Sequence, residues 1–290
     1  MNLDLHTDPD LFRNSVIFTA RQTGFAPLLI EKDYMCSVLL NHLARSGDGS
    51  LVFKGGTCLA KVHWNFNRLS EDLDFVVPMP IDAKRQERSK RATPYKNIVS
   101  NLPGAHPVFV VKEPLTGRND SRQYLAEVGY QSIVSGNDES IKLEIGLREP
   151  LFQDVFEGQA NTLLQNAANP RDTITAFPLR CLSYEEAMAE KFRAALSRKE
   201  VAIRDFFDID YAVVVRGLKS GKPDFVQMVR RKLAIPGNEP LDMSGERLSA
   251  LAGQLDAQLK PVLRPKDFEA FNLERATGFV RTMQTLLRVD

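Results

Sequence analysis

Residues 51–77, LVFKGGTCLAKVHWNFNRLSEDLDFVV, hold the signals that decide the fold. Leu51, Val52 and Phe53 are a short apolar run of the kind that fills a buried strand. It stops at Gly55-Gly56, a pair that reaches backbone angles closed to other residues. Thr57 is placed to cap the next segment, where Leu59, Val62 and Phe66 recur at helical spacing. Asp72 to Val77 then alternates as a strand does, with Leu73, Phe75 and Val77 on one face and Asp72 and Asp74 together on the other. A glycine turn that enters a helix offers backbone N–H groups and a partial positive charge, a seat for phosphate oxygens. Two carboxylates on one strand face suit Mg²⁺, which takes a few carboxylates and completes its shell with phosphate and water. Each device alone is a weak signal. Their succession, with 16 residues from Gly56 to Asp72, describes a nucleotide polyphosphate held between backbone amides and metal.

Composition bounds this reading. The chain has 290 residues, 43% of them hydrophobic, enough for a sizeable core in one large domain or two lobes. Charged residues make up 26% and the mean hydropathy is −0.25, as in soluble globular chains. The formal net charge is +1, so a nucleic-acid surface has to be a local patch rather than a global field. Cys36, Cys58 and Cys181 are far apart in sequence and lack metal-ligand spacing, which reads as reduced thiols of a cytoplasmic protein. The opening MNLDLHTDPD lacks the basic-then-apolar order of a signal peptide, and no apolar run approaches membrane-span length. A cytoplasmic location with no membrane partner is the expectation.

Taken in order, Asp8-Pro9 starts a helix that Gly24 ends, and residues 27–44 form a second. Glu31-Lys32-Asp33 falls in the early turns of the second and, read alone, is a solvated charged face. After Pro78 and Pro80, residues 82–99 carry Lys84, Arg85, Arg88, Lys90, Arg91 and Lys96 with few apolar residues. This is an exposed basic helix, either a solvated face or a landing strip for an RNA backbone; Tyr95 alone is too little for base stacking. From Val108 the period shortens to two, and residues 108–111, 124–134 and 140–147 read as antiparallel strands. Glu144 sits on the polar face of the last of these. Residues 161–172 are loop-like and mark the boundary between a lobe of residues 1–160 and a mainly helical lobe of residues 161–290. Ser183 to Glu186 reads as a capping box opening a helix with Glu190, Lys191 and Arg193, and Arg204 to Asp210 opens the next. Alone, these are ordinary helix charges. Residues 223–233, 244–259 and 265–287 read as further helices without a catalytic constellation, and Arg230-Arg231-Lys232 is a second basic group open to RNA. His63 reads as a helix-surface histidine. No Cys/His pairing at zinc spacing occurs, nor a G-x-S-x-G elbow.

The glycine pair followed by D-x-D resembles the signature of the nucleotidyltransferase superfamily. More narrowly, Lys54-Gly55-Gly56-Thr57 with Arg68-x-Ser70-Glu71-Asp72-Leu73-Asp74 resembles the AbiEii/AbiGii-type toxins, among them the MenT toxins. Glu31-Lys32-Asp33, the E-K-x-x-A from Glu190 to Ala194 and the R-D-x-x-D from Arg204 to Asp208 are similar to that family's other motifs, and the likeness runs to about residue 215. The resemblance implies an α/β (α+β) fold: a nucleotidyltransferase-like mixed sheet flanked by helices, with a helical C-terminal lobe. It implies a metal-dependent toxin that moves a nucleoside monophosphate from an NTP to tRNA, at its 3′ end, and blocks translation, opposed by a cognate antitoxin. The cofactor it implies is Mg²⁺ or Mn²⁺. In these roles Asp72 and Asp74 hold metal, and Glu144 binds metal or deprotonates the attacking hydroxyl. Lys54, Gly55, Gly56, Thr57, Arg68 and Ser70 cradle the nucleotide, and Lys191 neutralises triphosphate charge. Asp205 orients Lys191 or a ribose hydroxyl, and Arg204 and Asp208 complete the nucleotide contacts. The rival readings are transfer of a nucleotidyl or phosphoryl group to a protein, and a catalytically idle RNA- or partner-binding protein.

Overall fold

A computed structural model of the chain describes residues 3–169 and 174–288. It divides into two compact units, Met1–Leu182 and Ser183–Asp290. The first is built on a seven-stranded sheet. In chain order the strands are β1 (Val52–Lys54), β2 (Asp72–Val76), β3 (Val110–Arg118), β4 (Gln123–Gln131), β5 (Asp138–Gly146), β6 (Phe156–Ala160) and β7 (Phe177–Cys181). Their spatial order is β3-β4-β5-β2-β1-β7-β6. Two pairings, β2 with β5 and β1 with β7, are parallel, and the others antiparallel, so the sheet is mixed as expected.

Helix α1 (Pro9–Thr23) packs on helix α2 (Pro27–Ser46), which covers one face. The Asp8 carboxylate accepts from the Leu11 amide at the start of α1, and Gly24 closes it at φ 80°, a left-handed angle that favours glycine. α2 lies against β2 and β7. Its Ile30, Met35, Leu39 and Leu43 bury with Phe53, Leu73, Phe75, Leu143 and Ile145 of the sheet in one core. The alternation in β2 and β5 follows directly: the apolar members of each strand face this core, and the acids face away.

α3 (Gly55–Cys58) leaves β1 at once and opens into a wider turn at Leu59–His63. α4 (Arg85–Ser100) packs on β3 and is followed by α5 (Leu102–Ala105). The basic helix is therefore exposed on one side only. Lys84, Arg85, Lys90 and Arg91 are exposed, but Arg88, Ala92, Tyr95 and Val99 are buried. Arg88 is 2% exposed, guanidinium included, and donates through Nη2 to the Ile81 carbonyl at 3.4 Å. Tyr95 donates to Asp48 Oδ1 at 2.6 Å beside Ser50. Those two hydroxyls, Ser50 first, lower the Asp48 pKa to about 2.

In the second unit, α6 (Tyr184–Ser197), α7 (Ile203–Val214), α8 (Pro223–Leu233) and α11 (Leu273–Arg288) pack on one another, with α9 (Gly245–Gly253) and α10 (Pro265–Ala270) between α8 and α11 in sequence. The boundary differs from the expected one at residue 160, because β7 is held in the sheet by β1 and β6. Of the loop expected at 161–172, residues 170–172 lie outside the described residues. The helix expected over 244–259 ends at Gly253 and continues as a wider turn, and that expected over 265–287 breaks between Ala270 and Leu273.

Candidate active site

The sheet face opposite the core carries the acids. In the parallel register of β2 with β5, Asp74 stands beside Glu144 and Asp72 beside Lys142. Register partners in a ladder share a face, and residues two apart on a strand do too. Asp72, Asp74 and Glu144 are thus brought to one face, each half-buried. Across the antiparallel pairing of β1 with β2, Lys54 is the partner of Asp74.

Both glycines of the turn are explained by what lies against them. Gly55 has φ 77°, and a Cβ there would come 2.3 Å from Asp74 Oδ2. A Cβ on Gly56 would meet Arg68 Nη2 at 2.2 Å. The turn is bare so that a carboxylate and a guanidinium can lie directly on the backbone that enters α3. Arg68 is 2% exposed and donates through Nη1 to the Leu69 carbonyl at 3.1 Å. Thr57 does not cap the helix, which begins at Gly55, already ahead of it. Its hydroxyl donates instead to the Asp72 carbonyl at 2.5 Å and ties the turn to β2. Ser70 is half-buried in the segment entering β2.

Behind this face, Glu31-Lys32-Asp33 is a set of latches rather than a solvated stretch. Glu31 is 0% exposed and accepts from the Ser132 hydroxyl at 2.5 Å and the Ile133 amide at 2.6 Å. Asp33, 2% exposed, pairs at 2.6 Å with Lys61, itself 0% exposed. Lys61 also donates to Ser37 Oγ at 2.8 Å. Lys32 reaches Glu71 at 3.1 Å, one residue before Asp72. Sequence reasoning missed the depth of these contacts. The nearest signal was Lys61 itself, a charge on the inward face of an otherwise apolar segment.

The second unit gathers Lys191, Asp205 and Asp208. Lys191 Nζ lies 2.7 Å from Asp205 Oδ1 and 2.9 Å from Asp208 Oδ2, tying α6 to α7. Arg198 also approaches Asp205, at 3.6 Å, and Arg204 is half-exposed on the first turn of α7. Asp210 turns elsewhere, to a two-pronged pair with Arg275 at 2.7 and 2.8 Å. Lys232 is not a surface cation open to RNA. It is 1% exposed, between Glu186 at 2.7 Å and Glu190 at 3.1 Å. Its place on the inward side of α8 makes those two acids of α6 its counter-charge.

The acids of the sheet face are hard oxygen donors, the class Mg²⁺ takes, and the ion needs only one or two of them when phosphates complete its shell. The set fits such an ion in donor chemistry and shares one face of the sheet. Among the described residues, the one trio whose ligand atoms lie within 4.8 Å of one another is a different set: Cys58, His63 and Cys181. The remaining thiol, Cys36, is pushed by burial up to about 12.

The model of a nucleotidyl transferase AbiEii toxin family, of type IV toxin–antitoxin systems, matches residues 38–278. Among solved structures, MenT4, a nucleotidyltransferase toxin from Mycobacterium tuberculosis, superposes with a TM-score of 0.56 at 20% identity, over 95% of this chain and 90% of that one. JHP933 from Helicobacter pylori gives a TM-score of 0.51 at 17% identity, over 91% and 94% of the two chains. At these identities the likeness is one of fold. No curated protein sequence matches significantly.

Proposed function

Because the chain belongs to the AbiEii nucleotidyltransferase toxin family, and so is a nucleotidyltransferase of a type IV toxin–antitoxin system, we propose that it moves a nucleoside monophosphate from an NTP to the 3′ end of tRNA. Family membership brings a nucleotide substrate and an antitoxin partner. No helix among the described residues is long and apolar enough to cross a membrane, and we place the reaction in the cytoplasm.

One observation carries the reading: the Asp74 carboxylate lies on the bare Gly55 backbone, beside Glu144, where the chain enters α3. An acid and a phosphate-accepting turn are there within reach of one nucleotide. In the reaction the acceptor hydroxyl attacks the α-phosphorus of the NTP. The new P–O bond forms as the bond to the bridging oxygen breaks, and pyrophosphate leaves. Asp72 and Asp74, with Glu144, would hold Mg²⁺, which when bound neutralises charge on the attacking and leaving oxygens. Glu144, beside Asp74 in the ladder, would receive the hydroxyl proton where it does not ligate metal. Gly55 and Gly56 present backbone to the phosphates, and Arg68 adds a fixed positive charge beside Gly56. Catalysis is then mostly positioning and charge neutralisation.

The acceptor is argued from charge. With a net charge of +1, the whole-chain field does little for RNA, but Lys84, Arg85 and Lys90 stand exposed along α4 and supply a local patch. The experiment incubates the purified chain with total tRNA, a mixed-protein extract, Mg²⁺ and each α-labelled NTP in turn. Label in tRNA establishes the acceptor and names the nucleotide together. Label in protein alone overturns the tRNA reading and leaves the transfer chemistry standing.

A further inference from the structure

Cys58 ends α3, His63 ends the wide turn that follows, and Cys181 ends β7. The parallel pairing of β1 with β7 sets Cys181 beside Phe53, which draws its sulfur in behind the glycine turn. One ligand atom from each of the three side chains lies within 4.8 Å of the other two. Both cysteines are 0% exposed, and the histidine is half-buried.

The surroundings are built for a ligand at this point. His63 Nε2 lies 3.1 Å from the Leu182 carbonyl. A carbonyl only accepts, so Nε2 carries the proton and Nδ1 of the neutral ring keeps its lone pair. A backbone carbonyl that orients the far N–H is the usual support of a metal-binding imidazole. The Phe156 ring stacks on His63 with centroids 5.5 Å apart and shields its outer side. Gly158 of β6 has no side chain where a Cβ would fall 2.8 Å from Cys181 Sγ. The Cys181 thiol donates to the Phe156 carbonyl at 3.3 Å, a bond that deprotonation would release.

We propose that Cys58, His63 and Cys181 form a Zn²⁺ site, two thiolates and one imidazole, with a fourth position left to water or an outside ligand. Two sulfurs and a nitrogen select zinc over the hard ions suited to Asp72, Asp74 and Glu144. Tetrahedral zinc with its ordinary bond lengths spaces such ligands roughly 3.5–3.8 Å apart, so the trio closes by about 1 Å at most. Each thiol gives up its proton as its sulfur–metal bond forms. The ion would fasten the end of α3, directly behind Gly55 and Gly56, to β7. The site stands apart from the transfer chemistry and does not rest on it.

The test uses the full chain, stripped with chelator and kept in a non-thiol reductant so that oxidation does not mimic loss of binding. Zn²⁺ is titrated against a chromophoric chelator, and Co²⁺ serves as the spectroscopic stand-in. The expected result is one Zn²⁺ per chain, a Co²⁺ spectrum with a thiolate charge-transfer band, and a melting midpoint that rises with Zn²⁺. Cys58→Ser and Cys181→Ser each lower the affinity by roughly a hundredfold or more and diminish that band, since losing a ligand exceeds the cost of losing its support. His63→Gln, at the half-buried position, weakens binding while keeping the band, and remains informative if a cysteine variant fails to fold. Cys36→Ser and Asp74→Ala retain full affinity. Zn²⁺ binding unchanged in all three ligand variants, a Co²⁺ spectrum without thiolate character, or no binding by the wild type overturns the proposal.

Discussion

Glu31 and Asp33 on α2 are 0% and 2% exposed, and each is met by named donors. Asp72 and Asp74 on β2 and Glu144 on β5 stand half-buried on the sheet face that turns away from the core. The same chemical group is thus used in two ways with different consequences. A carboxylate shut away with its donors or counter-charge ties distant parts of the chain together, because a buried ion left without partners is too costly. A carboxylate on an accessible face can still exchange solvent for metal or substrate. The first set places the second: Lys32 holds Glu71 next to Asp72, and Lys61 anchors the segment after the glycine turn to α2.

The comparison can be broken most sharply from the open side. Asp74→Ala is expected to lower nucleotidyl transfer by about a thousandfold, or about 4 kcal/mol of transition-state stabilisation, with the melting midpoint moved by no more than about 3 °C. From the closed side, Lys61→Met strands Asp33 without its partner and is expected to cost about 3–5 kcal/mol in denaturant unfolding. Replacing both, as Lys61→Met with Asp33→Leu, should recover much of that loss, because a buried pair contributes less than breaking it costs.

Gly55→Ala lies between the two sets. Gly49 has nearly the same backbone angle, φ 75° against 77°, but nothing within 4 Å of where its Cβ would fall. Both alanine variants bear the left-handed strain of about 1–2 kcal/mol. Only Gly55→Ala should also displace the Asp74 carboxylate, so transfer falls in that variant and holds in Gly49→Ala. The smallest effect is expected at Lys32→Ala. Its pair with Glu71 is partly exposed, 15% and 36%, and solvent screening leaves it worth under about 1 kcal/mol by the same unfolding measurement.

Local signals carried the parts of the fold that local physics decides. Asp8 and Gly24 bound α1 as their residue types require, and the two-residue period of β2 and β5 separated acids from core without knowledge of the third dimension. What the sequence hid depends on distant partners. Glu31 meets Ser132 and Ile133, about a hundred positions on, and nothing near Glu31 announces them. β6 and β7 are short, and β7 contains Pro178, so no strand period marks them in the sequence; β6 is defined by its pairing with β7, and β7 by its pairing with β1. That same pairing unites Cys58, His63 and Cys181, whose spacing along the chain conceals them. Lys232 looked like part of a basic surface because a run of cations says nothing about which member turns inward. Of the site itself, the glycine pair and the acids of β2 were legible, while the reason for each glycine required the positions of Asp74 and Arg68.

The central claim is that the acids of the open face perform the transfer and contribute little to the fold. It is tested most directly by Asp74→Asn, nearly the same in shape, measured for pyrophosphate release from NTP with tRNA and for unfolding in denaturant on the same preparation. The account predicts that release is abolished to within the background while the unfolding midpoint stays at the wild-type value. Release at the wild-type rate, or a loss of stability as large as that of Lys61→Met, would contradict it.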